Sequence, residues 1–450
     1  MAWCVPIWKI YGFPKVSLYW ERFVLKHATA QIPNVTAHMR KTSKLKKIFK
    51  WISIVFGVFF LIMLWSPLEG KMENTGKRLF SWSGWTAIFD ETDFGLRFNH
   101  YPKTEFDGID GPYVISKKVY NVNSEDKLIV NNISKDDSIQ VRVNNKYSDK
   151  FYFKKRNAHS IEKPEYEMPE RLIAISDIEG NFNGFSSFLK NNGIIDSNFN
   201  WSFGNGHLVL VGDFVDRGSD VTQVLWLIYK LEKQAEKKGG KVHFILGNHE
   251  IMNFQGNGGY NQEKYIKVAQ EISKKEEWEK AIQFMFSDST ELGNWLRTKN
   301  VIKKIGDYIF VHAGLHPELL DYKIDLAKIN SITRKNWDKD LYRNPKYDKK
   351  ANFLIGRLSP IWYRGLVTNY KYYDKIKEEE LTKVLEYYNA KKVVIGHTVV
   401  RNISTDFNGK VIRIDLKHGI EKNSGFTKGL LIENGVEYLI DDNGNKKTLK

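Results

Sequence analysis

Nine polar residues stand just past five short apolar runs: Asp177 and Glu179 after "RLIAI", Asp213, Asp216 and Arg217 after "HLVLV", Asn248 and His249 after "KVHFI", His312 after "DYIFV", and His397 after "KKVVI". Any one of them alone is most simply a turn former, a helix cap or a satisfied core group. Five such stations in one half of the chain point instead to a shared site. Carboxylate, amide and imidazole donors suit divalent ions of moderate hardness, such as manganese, iron or zinc. Cys4 is the only cysteine, so a thiolate zinc site and a disulfide framework are both excluded. Ligands borne on separate strands cannot form a single helix-borne zinc motif, but they can cage two ions bridged by one carboxylate. Two ions about 3.5 to 4 Å apart activate a hydroxide and bind the oxygens of a phosphate undergoing in-line displacement. Arg217 adds a fork-shaped donor for those oxygens. His207, His243, His316 and His418 have no matching station and read as structural or surface residues.

Those stations need a scaffold that brings strand ends to one edge. Between the second and third runs, "DVTQVLWLIYKLEKQAEKKGG" has helical spacing, an Asp220 cap and a Gly239-Gly240 stop. Apolar strands alternating with helices predict an α/β fold from Arg171 onward, with the loops at the strands' C-terminal ends gathered on one edge. Upstream, residues 69–168 carry short alternating runs such as "KLIVNN", "SIQVRV" and "KFYFKK" and read as a β-rich extension of hairpins without a catalytic pattern. "KPEYEMPE", with Pro164 and Pro169, reads as the linker into the catalytic domain, 169–450.

The chain of 450 residues is 42% apolar, enough for a substantial core. Its net charge of +16 is largely local, because residues 1–50 hold ten Lys/Arg against the single acid Glu21. A nucleic-acid groove is therefore not expected. Six Lys/Arg from Arg40 to Lys50 abut an uncharged stretch from Trp51 to Leu68. As a helix, that stretch covers roughly 27 Å, near the thickness of a hydrocarbon core, with Trp51 and Trp65 at interfacial depth. The expectation is a basic cytoplasmic segment over 1–50, a single uncleaved transmembrane helix over 51–68, and the rest of the chain outside the cytoplasm, periplasmic in a bacterium.

"GDFVDRG" (212–218), "GNHE" (247–250), "HAG" (312–314) and "GHT" (396–398) together resemble the motifs of the calcineurin-like metallophosphoesterases, in the phosphoprotein-phosphatase branch that includes the Shewanella-like phosphatases. The resemblance covers roughly Arg171 to Asp415. It implies a four-layer α/β/β/α sandwich and two divalent metal ions, with Asp213 bridging, Asp177 on the first, and Asn248, His312 and His397 on the second. It further implies His249 as the general acid, Asp216 as its orienting partner, and Arg217 as a phosphate clamp. In "SPIWYRG", Arg364 is matched to a second clamp, although an arginine beside Trp362 and Tyr363 is equally placed to stack on the fold.

Two positions depart from the family pattern. Glu179 stands where the family carries a histidine ligand; as a ligand through oxygen it favours manganese, magnesium or ferrous iron over zinc, and as a surface charge it leaves the first site weakened or lost. Leu246 stands where many protein phosphatases carry a phosphate-binding arginine. The helical stretch "GGYNQEKYIKVAQEISKKEEWEKAIQFMF" reads equally as a cover for the site or as a solvated face. The resulting expectation is a membrane-anchored dinuclear phosphatase acting on phosphomonoesters, phosphoproteins included. A hydrolase of dinucleoside polyphosphates or other phosphoanhydrides is the alternative enzyme. A silent, membrane-tethered phosphate-binding module is the alternative of another class, disfavoured because binding alone needs neither His249 nor Asp216.

Overall fold

The computed structural model describes residues 38–65, 69–73, 77–82, 94–99, 104–134, 136–339 and 348–449. The chain divides into two compact units, one of residues 1–68 with 82–93 and the other of 69–81 with 94–450. In the first unit His38–Trp65 is an α-helix. Its residues 46–59 are exposed throughout, large apolar side chains included. Among the described residues no helix is long and apolar enough to cross a membrane. The end of the expected span, 66–68, lies outside the described residues.

In the second unit two six-stranded mixed sheets carry the site. Across the first sheet the order is Lys241–Ile245, His207–Val211, Arg171–Ile175, Lys428–Glu433, Val436–Asp441 and Lys446–Thr448. The first three strands are mutually parallel, as the run–helix–run pattern predicts, and Lys428–Glu433 adds antiparallel. Across the second the order is Ser404–Asp406, Val411–Arg413, Lys392–Ile395, Tyr308–Val311, Ile302–Ile305 and Glu165–Tyr166. Period-two alternation sorts their side chains. Leu172, Ala174 and Val209 of one sheet share a buried cluster with Ile305, Phe310 and Val394 of the other. Their neighbours Ile173, Leu208 and Leu210 instead share a cluster with helix residues such as Phe185 and Trp226. Apolar residues on both faces of these strands explain why the runs lack polar alternation.

The helix after the second run spans Val221–Lys237, and Gly239, with φ +76°, follows it in the left-handed region that favours glycine. Asp220 precedes the helix, but its side chain makes no capping bond. Burial raises its carboxyl to about 6. Onto this helix pack the hairpins of the β-rich extension. Phe153, on the strand Lys150–Lys154, stacks on Trp226 with ring centroids 3.9 Å apart, and Trp226 Nε1 donates to the Pro112 carbonyl at 2.7 Å.

The expected linker is ordered into the fold. Glu165–Tyr166 joins the edge of the second sheet, with Lys304 N donating to Pro164 O at 2.8 Å and Gly306 N to Tyr166 O at 2.9 Å. Flanking prolines mark a chain that cannot be helical, and an edge strand satisfies them as well as a loop does. Just upstream, the buried Glu162 carboxylate accepts from Lys299 Nζ at 2.8 Å and pairs with Lys303, while Lys299 also pairs with Glu232. Burial opposes the charge on Glu162, but the two lysines hold it well below the usual carboxylate range. Removing it strands the fully buried ammonium group of Lys303 and leaves Lys299 with Glu232 alone. Glu162→Ala is expected to destabilise the fold by about 3–5 kcal/mol, read from denaturant midpoints at constant m-value. A loss within about 0.5 kcal/mol would show that water satisfies the lysines.

Candidate metal centre

All five stations reach one edge, and their backbone is bent to do so. Asp177, Glu179, Asp213, Asp216, Arg217 and His397 all have positive φ, from 49° to 71°. Non-glycine residues rarely adopt this conformation, and its clustering marks a place where local strain is held by the surrounding fold. Two motif glycines are required by space. A Cβ at Gly247 would overlap the Asp213 carboxylate, and one at Gly396 the Asp177 carboxylate.

At the centre the donor atoms of Asp213, His312 and His397, all buried, lie within 4.8 Å of one another and can hold a metal ion. His312 Nδ1 donates to Val211 O at 2.8 Å, which leaves Nε2 turned inward, 3.1 Å from Asp213 Oδ2 and 3.0 Å from Asn248 Oδ1. A carbonyl on one ring nitrogen is how a ligating imidazole is fixed in the right tautomer. His397 Nε2 is buried without a hydrogen-bond partner, as expected of a nitrogen that has a cation to bind. Asp177 is not one of the three clustered residues but lies against them, its Oδ2 accepting from His397 N at 3.1 Å. The donor set fits a divalent ion. Glu179 is not one of the three clustered residues; its carboxylate pairs with Arg217.

Beside the cluster, His249 Nδ1 lies 2.6 Å from Asp216 Oδ2, and His249 N donates to Asp213 Oδ1 at 3.0 Å. Nε2 faces Arg217 Nη2 at 3.3 Å and Asp213 Oδ2 at 3.8 Å. The Asp216 carboxylate is itself held, because Asn253 Nδ2 donates to Oδ1 at 2.7 Å and Asn261 Nδ2 donates to Asn253 Oδ1 at 2.8 Å. Tyr260 sets its ring edge-on to His249 at 4.9 Å, and its carbonyl accepts from Arg217 N at 2.9 Å. The segment read as either cover or solvated face therefore begins against the site. It continues as helices Glu263–Ser273 and Trp278–Met285. Arg364 donates from Nη1 to His397 O at 2.6 Å and to Thr398 Oγ1 at 3.1 Å, so its guanidinium is tied to the His397 loop.

Electrostatics favour a cation at this group. Burial opposes an imidazolium at His312, yet Asp213 and Asp177 lift its pKa to about 10. Burial raises Asp177 to about 6. For His249, burial again works against charge, but Asp213 and Asp216 outweigh it and raise the pKa above its ordinary value. Negative potential strong enough to hold protons on imidazoles is the same potential that draws a divalent ion.

Three participants went unseen in the strand-end pattern. Glu250 accepts from the backbone N–H groups of Asp213 at 3.0 Å, Phe214 at 2.8 Å and Gly247 at 2.7 Å, pinning the two metal-facing loops together. It lies within "GNHE", so adjacency was its only signal. Asn253 needed the helical step of four from His249 to be noticed. Asp415 follows a sixth run, "KVIRI", and is a buried carboxylate raised well above its usual range by burial and by Asp177. The remaining histidines lie apart from the donor cluster: His207 and His243 face each other at 3.1 Å, His316 packs edge-on against Tyr363, and His418 supports Ser176 O at 2.8 Å.

Comparison with known proteins agrees with this geometry. Residues 170–401 match the calcineurin-like phosphoesterase family. The chain is 32% identical over 228 residues to Shewanella-like protein phosphatase 1 of Plasmodium berghei, covering 51% of this chain and 61% of that relative, and so spans less than two thirds of its length. It is 28% identical over 296 residues to Shewanella-like protein phosphatase 2 of Arabidopsis thaliana, covering 56% of this chain and 72% of that one. The structure resembles the crystal structure of a cold-active protein-tyrosine phosphatase from a psychrophilic Shewanella, with a TM-score of 0.66 and 32% identity over 76% of this chain and 100% of that chain. On motifs, fold and site alike, this chain belongs to the calcineurin-like phosphoesterase family and carries that family's phosphoric-ester-hydrolysing domain.

Proposed function

We propose that this protein is a membrane-anchored, dinuclear-metal phosphatase that hydrolyses phosphomonoesters, with phosphorylated proteins as its substrates. The observation that carries the reading is the metal-holding group Asp213, His312 and His397 set directly beside the hydrogen-bonded pair His249–Asp216. Asp213 would bridge two divalent ions, with Asp177 and Glu179 on one and Asn248, His312 and His397 on the other. When bound, the ions supply a hydroxide nucleophile and neutralise phosphate oxygens. Everything else falls to the side chains. Arg217 and Arg364 bind the phosphate oxygens, Asp216 fixes one tautomer of His249, and Nε2 of the protonated ring delivers its proton to the departing oxygen. The phosphoprotein assignment is supported by the printed activities of the protein-phosphatase relatives. Leu246 is fully buried, so the clamp relies on the two arginines. Stripping metal from the full chain should abolish hydrolysis of a phosphoester panel, and manganese or ferrous iron should restore it better than zinc. Unchanged activity in the stripped protein would overturn the reading.

Glu179 decides whether the first ion has a third carboxylate beside Asp177 and Asp213. Its pairing with Arg217 supports a side chain lying beside the proposed clamp, and a carboxylate there can exchange an arginine for a metal. Glu179→Gln should lower metal content towards one ion per chain and reduce turnover strongly, whereas Glu179→His should retain activity with an altered metal preference. Full occupancy and an unchanged rate in the glutamine variant would leave Glu179 as no more than a partner of the arginine.

Anchoring is supported by the six basic residues before Trp51 and by exposed apolar side chains such as Phe49, Trp51 and Phe56 on the helix His38–Trp65. A reporter fused after Lys450 should read as non-cytoplasmic. Cytoplasmic reporter activity would overturn this orientation, and full release from membranes in high salt would remove the anchor.

A further inference from the structure

A groove of about 390 Å³ opens next to the metal centre, and the phosphatase reading does not account for it. Val399, Val400 and Arg401, beginning two residues after His397, line it together with Lys417, Phe426 and Lys428. Leu416 is buried in its floor. The lining is tied in close to the chemistry, since Val400 N donates to the Asp415 carbonyl at 3.0 Å and Thr398, the residue before Val399, accepts from Arg364. Val399 is 57% exposed and Phe426 66% exposed, so apolar surface is open to solvent here.

The charge in the groove has one sign. Arg401, Lys417 and Lys428 are three cations, and no acidic residue lines it. Neither Arg401 nor Lys417 has an ion-pair partner among the described residues, and Lys428 Nζ donates to the neutral Asn402 side chain at 3.2 Å. Unneutralised cations around an apolar floor are complementary to a ligand that carries carboxylates and an apolar side chain together. A free phosphoester occupies only the metal end. A polypeptide whose phosphorylated residue sits at the metals can lay its neighbouring residues along the segment that follows His397.

We infer that this groove selects phosphopeptides whose residues flanking the phosphorylated side chain are acidic and apolar. This rests on the phosphatase reading of the metal centre. Fields from exposed charges act chiefly on encounter and are screened by salt, so the selection should be strongest at low ionic strength. Docking onto an anionic membrane would use the same chemistry, but continuity with the phosphate site favours a substrate.

The test compares kcat/KM of the full chain on matched phosphopeptides with acidic-apolar or basic flanks, and on a small aryl phosphate. An Arg401→Glu/Lys417→Glu/Lys428→Glu variant and the milder Lys417→Gln are measured alongside. Wild type should prefer the acidic peptide by at least about tenfold at low salt, and the triple variant should lose that preference while keeping its aryl phosphate rate. The unchanged aryl rate also shows that the variant is folded. Equal kcat/KM on the two peptides would overturn the inference. So would loss of binding to phosphatidylserine vesicles in the triple variant without any change in peptide selection, which would make the groove a membrane contact. Binding of a fluorescent, unphosphorylated acidic peptide separates the two readings: if no phosphoester is hydrolysed, the phosphatase reading fails, and charge-dependent capture of this peptide still upholds the groove's selectivity, while its absence overturns it.

Discussion

Replacing His249 with asparagine is expected to lower turnover on substrates with poor leaving groups by about two to four orders of magnitude while the protein keeps its metal. The metal group is Asp213, His312 and His397, and the ring of His249 is bonded elsewhere, to Asp216 at 2.6 Å. What the variant loses is a proton donor. Aryl phosphates have leaving groups that depart without one, so their loss should be much smaller. The protonation state gives a second signature. Burial opposes the charge, but Asp213 and the hydrogen-bonded Asp216 raise the His249 pKa. Asp216 is outside the metal-holding group, so its share of the rise remains when metal is bound, and activity on poor leaving groups should fall as pH rises through that pKa. Asp216→Asn removes one of those carboxylates and should move the falling limb to lower pH, with a weaker form of the same leaving-group dependence. Equal losses across leaving groups, or loss of metal in the His249 variant, would make His249 a ligand or a phosphate contact instead.

Asp213→Asn should be more damaging still, with activity on every phosphoester falling by more than about 10³-fold whatever the leaving group. Asparagine preserves the shape and can still accept from His249 N, which Asp213 Oδ1 does at 3.0 Å. It cannot supply the negative charge with which Asp213 would hold a metal ion. Calorimetry provides a readout independent of turnover: metal should raise the wild-type unfolding temperature, as any ligand of the native state does, and that rise should vanish in the variant. A metal-dependent stabilisation equal to that of wild type would place the ions elsewhere.

Leaving-group dependence and metal dependence both address residues that local pattern made visible. Asp177, Asp213, Asn248, His312 and His397 each follow an apolar run, and an apolar run of four or five residues ending in a polar one can be read without knowing any neighbour. Asp415 ends a run too, "KVIRI", but the arginine within it breaks the apolar signal. Glu162 gave no signal at all, since a glutamate in a charged stretch becomes a buried partner only when Lys299 and Lys303 arrive from another element. The expected linker failed as a loop for the same reason, because an edge strand is defined by the sheet it joins.

From sequence alone came the α/β class, the strand ends that bear donors, and the family, because strand alternation, helix spacing and motif order are properties of neighbouring residues. Tertiary structure alone decided which donors meet. His312 and His397 come from the second sheet and Asp213 from the first, and their nitrogens and oxygens fall within 4.8 Å only because the two sheets pack face to face through side chains such as Val209 and Val394. It alone also tied Glu179 to Arg217, held Asp216 through Asn253, and opened a cationic groove beside His397. Each of these depends on distances between segments far apart in the chain, which local periodicity does not encode.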